Sequence, residues 1–196
     1  FEKKYLVIRA YDAAQDGLSQ IEKMDPPDVA DVVIAASRQR VSEAKAQFEY
    51  ERINRDVREG IASPDLLAEW IAGHIGHPKE LEARESLIFA WLNVTRRQAA
   101  PGRDASLSDA DLKAVAAAGE LVLKLKGSAD VSKLVGELSK HFKTHYFERG
   151  ATSASIDGIK LLIPLETPAM RAYLVITLLD LQRQFALAEL QLEVAA

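Results

Sequence analysis

Over most of this chain, apolar residues recur at intervals of three and four, and the runs are separated by proline and glycine. That interval places apolar side chains on one face of an α-helix, whereas a half-buried strand needs strict alternation. The breaks fall at Asp25-Pro26-Pro27, Gly60, Ser63-Pro64, Gly76-His77-Pro78, Pro101-Gly102, Gly127-Ser128, Gly150 and Thr167-Pro168. Proline disfavours helical geometry in the residue before it, and glycine is common just past a helix end. The pattern predicts an all-α fold: a multi-helix bundle of about six or seven helices, forming a single domain over residues 1–196. A short β-hairpin before the C-terminal helix is an added expectation.

The first helix is expected over Phe1–Met24, with Tyr5, Ile8, Tyr11, Leu18 and Ile21 at helical intervals. A long helix follows from Asp28 to Glu59. Its stripe begins with Val29, Val33 and Ala36 and is continued by Val41, Ala44 and Phe48, while Ala46, Tyr50, Ile53 and Val57 form a rotated second stripe. Ser63-Pro64 starts a short helix to Ala72, a hydroxyl before a proline being a good helix start. Pro78 opens the next, to about Ala99; its run Leu87–Leu92 has no polar face and predicts burial nearly all round. Ser108, with Asp111 three residues on, is close to a capping box, and that helix runs to Lys126. Another extends from Ser128 to Gly150, with Val131, Leu134, Val135, Leu138 and Phe142 along one face.

Between Ala151 and Glu166 the signal changes. Asp157-Gly158 stands between Ile156 and the apolar run Ile159–Ile163, which reads as a short hairpin; a loop tucked under the bundle is the competing expectation. The last helix starts at Thr167-Pro168. Leu174, Leu178, Leu181, Phe185, Ala188 and Leu192 form a heptad seam, and Val175, Leu179, Ala186 and Leu190 a second stripe. Two stripes call for two neighbours, as in a bundle interior.

The 196 residues are 48% hydrophobic and 28% charged, as in an ordinary soluble globular protein. A net charge of −4 argues against nucleic acid as partner. Arg96, Arg97 and Arg103 flank one loop, an arrangement that usually means a solvated cluster. Without cysteine there is no disulfide, no thiolate metal site and no cysteine nucleophile. No run reaches the ~18 apolar residues of a membrane span. Localisation stays open between cytoplasm, bacterial periplasm and secretion, and a first residue inside a helical pattern suggests a processed or excised fragment.

All four histidines fall in two pairs. His141 and His145, four apart on a predicted helix, put two imidazoles on one face within reach of one ion, with Glu148 as the nearest carboxylate and Glu137 further along the strip. The candidate metal ligands are therefore His141, His145 and Glu148, for a divalent metal; otherwise no cofactor is expected. The competing reading is a buried histidine hydrogen-bonded to a neighbour. Di-iron bundles use Glu-x-x-His motifs, and none occurs here. His74 and His77, flanked by glycines and a proline, are expected in a turn. No phosphate loop and no nucleophile with a base beside it can be found, so the chain is expected not to be an enzyme.

Two short strings resemble known families. His74-Ile75-Gly76-His77 is similar to the signature of class I aminoacyl-tRNA synthetases, which implies a nucleotide-binding sheet with a strand before the motif; here a predicted helix precedes it. Arg58–Ser63 and Leu178–Arg183 are similar to helix segments of outer-membrane efflux channel proteins, whose strands this chain lacks.

These readings converge on a non-catalytic helical interaction module: a sensor, adaptor, secreted effector or assembly domain working through a protein partner or as a homo-oligomer. Trp70, Ile159, Leu161 and Ile163 are the candidate partner contacts. The alternatives are a metal-binding bundle using the His141/His145 pair and a membrane-active protein with an inserting hairpin.

Overall fold

The computed structural model describes residues 10–24, 28–98, 102, 103, 105–125 and 129–195, the side chains of 28–30, 129 and 188–195 excepted. The described residues are all-helical and hold eight helices and no strand: α1 (Tyr11–Lys23), α2 (Asp28–Glu59), α3 (Asp65–Gly73), α4 (Glu80–Arg97), α5 (Asp109–Leu125), α6 (Ala129–His145), α7 (Thr152–Leu162) and α8 (Pro168–Ala195). Single 3₁₀ turns follow α6 (Phe147–Arg149) and α7 (Ile163–Leu165). The chain divides into two compact units, Phe1–Ala83 and Arg84–Ala196, and the division falls inside α4. The expected contributions of Tyr5, Ile8 and Val29 to the first two helices, and of Ala188, Leu190 and Leu192 to the last, lie outside the described residues or side chains.

In the first unit, α1 and α2 run antiparallel. Lys45 of α2 reaches Asp12 near the start of α1 (2.8 Å), and Arg38, earlier in α2, reaches Glu22 near the end of α1 (2.5 Å). These exposed pairs contribute little. The association rests on Ala14, Leu18 and Val41, all buried, with Tyr11 packed against them. Gly60 ends α2 with a φ of 78°, and the Ile61 amide donates back to the Asp56 carbonyl (2.8 Å). That left-handed turn is what glycine permits at low cost. Trp70 of α3 is buried, its indole N–H donating to the Ala46 carbonyl of α2 (3.1 Å).

His74 and His77 complete this corner. His74 stacks on Trp70 at 4.6 Å with planes 15° apart, and His77 meets Trp70 edge-on at 5.3 Å. The Lys79 amide donates to His77 Nδ1 (3.1 Å), so the ring proton sits on Nε2 and points to the Glu43 carbonyl (3.2 Å). Both rings thus hold the α3–α4 turn against α2. They follow a helix, and no described strand accompanies the synthetase-like string.

In the second unit, α7 packs against α5, α6 and α8. Leu87, Ile88, Ala90, Trp91, Leu92 and Thr95 of α4 are buried, as an apolar run without a polar face predicts. The hairpin expected before the last helix is corrected: residues 152–162 are helical. Ala154, Ser155, Gly158, Ile159 and Leu162 are its buried positions, a helical interval. Asp157-Gly158 imitates a turn dipeptide, yet Gly158 serves packing. A Cβ there would lie 2.5 Å from two ring atoms of Phe142 on α6. Where α7 gives way to α8, the buried Glu166 carboxylate accepts from the Thr167 amide (3.0 Å) and from Ser132 of α6 (3.3 Å). A negative charge at a helix N-terminus is favourable.

Candidate functional site

Ser108 precedes α5, and the Asp111 amide donates to its hydroxyl oxygen (3.2 Å). In return the Ser108 hydroxyl (2.7 Å) and amide (3.2 Å) donate to Asp111 Oδ2. The predicted cap is therefore present, with aspartate in the place of glutamate. What the cap does not announce is the burial of Asp111, whose side chain has no exposed surface. Its other oxygen accepts from His141 Nε2 of α6 (2.8 Å), and the Tyr146 hydroxyl donates to Oδ2. Thr95 of α4 comes within 3.1 Å of the Ser108 hydroxyl, which ties a third helix to the network.

Burial pushes the Asp111 carboxyl upward, but hydrogen bonds from His141, Tyr146 and Ser108 outweigh it and hold the group below its ordinary value. Asp111 is thus a carboxylate and accepts only, which places the His141 proton on Nε2. The Tyr146 hydroxyl is pushed up to about 12, first by burial and then by the Asp111 charge beside it. Behind this network His141 Nδ1 is buried and has no hydrogen-bond partner.

His145 lies 5.2 Å from His141, ring to ring, with planes 9° apart. Arg149 approaches its Nδ1 at 3.3 Å. A guanidinium only donates, so Nδ1 accepts and the proton of His145 sits on Nε2. Burial lowers the pKa of His145, and the charges of His141, Arg149 and Arg96 lower it further, against an upward pull from Asp111.

The structure brings His141 and His145 together but does not add Glu148. That residue is exposed in the 3₁₀ turn after α6 and lines a different cleft, beside Lys143 and Tyr173. Among the described residues, no three histidine, aspartate or glutamate side chains converge on a point that could hold a metal. The His141 nitrogen nearest a carboxylate is already bound to it, and three cations stand around the pair: Arg96, Lys140 and Arg149. Positive charge of that density opposes a divalent cation. As for the expected partner contacts, Trp70 and Ile159 are buried by packing, Ile163 is half-buried, and Leu161 alone of the four is exposed.

Asp111 and Tyr146 had no signal of their own as partners of His141, because the pairing spans separate elements. Lys140 and Arg149 lie on or just past the histidine strip, where ordinary surface charge looks the same. Compared with protein families, curated proteins and solved structures, the chain matches none. The two local resemblances rest on their own few residues.

Proposed function

We propose that the chain is a non-catalytic assembly module that acts through α8, with a second copy of itself as the partner. The observation that carries this reading is a stripe of large apolar side chains left open on α8. Tyr173, Ile176, Leu179 and Leu187 are 57%, 59%, 58% and 51% exposed. At 100° per residue they fall within an arc of about 120°. The opposite face, with Leu174, Thr177 and Leu181, is buried. An exposed row of large apolar side chains of this kind marks an interaction surface more often than a solvated one.

Charge complementarity favours a second copy. Asp180 and Arg183 lie on the same arc, both exposed. An antiparallel α8 pair centred between residues 181 and 182 sets Asp180 against Arg183 of the partner subunit, and Ile176 against the partner's Leu187. Each contact then occurs twice, as an isologous two-fold interface requires. Sedimentation across a concentration series tests this: a monomer–dimer equilibrium is expected, abolished in Ile176→Glu/Leu179→Glu. Asp180→Arg should weaken the dimer, and Asp180→Arg/Arg183→Asp should restore it. A monomer at every concentration, or a double swap no better than the single, overturns the reading.

The metal-binding alternative has two adjacent imidazoles in its favour and, among the described residues, no third ligand. A melting temperature raised by zinc, copper or iron, and not raised in His145→Ala, would support it. The membrane-active alternative rested on an inserting hairpin, and that segment is α7. No described helix is long and apolar enough to cross a membrane.

A further inference from the structure

We infer that the cleft between the C-terminal ends of α4 and α6 binds the phosphate group of a small molecule. The cleft encloses about 360 Å³ and is lined by Arg96, Glu137, Lys140, His141, Thr144, His145 and Arg149. That volume falls in the range of small-ligand sites.

Its three cations are not matched by carboxylates within the chain. Arg96 donates to the Asn93 side-chain oxygen (3.3 Å), Arg149 faces neutral His145, and neither these two nor Lys140 pairs with an acidic side chain among the described residues. Two guanidiniums present planar forks suited to an oxyanion with several oxygens. Thr144 adds a hydroxyl, and His145 Nε2–H a further donor.

The opposing charges are Glu137 in the lining, Asp111 behind His141, and the carbonyl end of α6, which carries about half a negative charge. Arg96 comes from a different helix, so a preference of cations for the α6 end does not account for the cluster. Of the opposing charges only Glu137 lines the cleft, against three cations.

The test is a titration of the whole chain with inorganic phosphate, followed by calorimetry and by the histidine ring signals in NMR, with chloride at matched ionic strength as the reference. The expected result is saturable binding that moves the His145 ring signals. Affinity should fall at least tenfold in Arg96→Ala/Arg149→Ala, a variant whose folding is checked by its melting temperature. A phosphosugar binding more tightly than phosphate identifies a phosphorylated small molecule as the ligand; equal affinities identify the free anion, and either supports the site. A response that does not saturate, that chloride reproduces, or that survives in the double arginine variant overturns it.

Discussion

Asp111 is a charged group with no exposed surface, and removing such a charge from water costs several kcal/mol unless donors replace the solvent. His141, Tyr146 and Ser108 are those donors. Because they hold Asp111 below its ordinary value, the stability it supplies is present above the usual carboxylate range and is lost as pH falls through its folded-state value. His145, also lowered, acts in the same direction from about pH 6.5 downward. Asp111→Asn is expected to destabilise by about 3 kcal/mol at neutral pH, from the loss of one partner of a buried charge network. The loss should be smaller at pH 3, below the ordinary carboxylate value, where the unfolded chain has already taken up the proton and the charge favours folding less. Urea unfolding at the two pH values measures both; equal losses would mean that the charge plays no part. Tyr146 shifts the other way: its stability contribution is present below the ordinary phenol value and is lost as pH rises toward about 12. Tyr146→Phe should cost about 1.5–3 kcal/mol at pH 7, the worth of a hydrogen bond to a charged group, and the gap to the parent should narrow by pH 11.

Helices α6 and α7 show why the same residue type means different things in two elements. Gly136 of α6 has nothing within 4 Å of where a Cβ would stand, whereas at Gly158 of α7 the Phe142 ring is 2.5 Å away. Alanine in a helix interior is favoured over glycine by about 1 kcal/mol. Gly136→Ala is therefore expected to raise stability by about that amount. Gly158→Ala should lower it, because overpacking a filled core costs about 1–3 kcal/mol and exceeds the propensity gain. The midpoints of chemical unfolding decide, and a stabilised Gly158→Ala would show that the ring moves aside freely. The Asp157-Gly158 hairpin signal failed for the same reason: a local dipeptide rule cannot register an aromatic ring supplied by another helix.

For the molecule as a whole, the proposed self-association through α8 makes folding depend on protein concentration. Anything that binds the folded state alone stabilises by mass action. The melting temperature should rise as the chain is concentrated, and the rise should vanish in Ile176→Glu/Leu179→Glu. A melting temperature independent of concentration in the parent would remove the whole-molecule basis for an assembly role.

Seven of the eight described helices were legible in the chain alone, with most of their described ends close to where they lie. Their boundaries are local events: proline blocks a helix from its own position, Gly60 reaches positive φ by itself, and the Ser108–Asp111 cap is closed within one turn. The pairing of His141 and His145 was legible too, since four residues make one helical turn and a little more. The partner of His141 was not, because Asp111 stands 30 residues away and arrives only when α5 packs on α6. Nor was the surplus of positive charge around the histidine pair. That depended on Arg96 approaching from α4 and Glu148 turning into another cleft. Local periodicity sets which residues share a helix face. What that face meets, and hence the charge around it, is set by contacts between elements that sequence spacing does not encode.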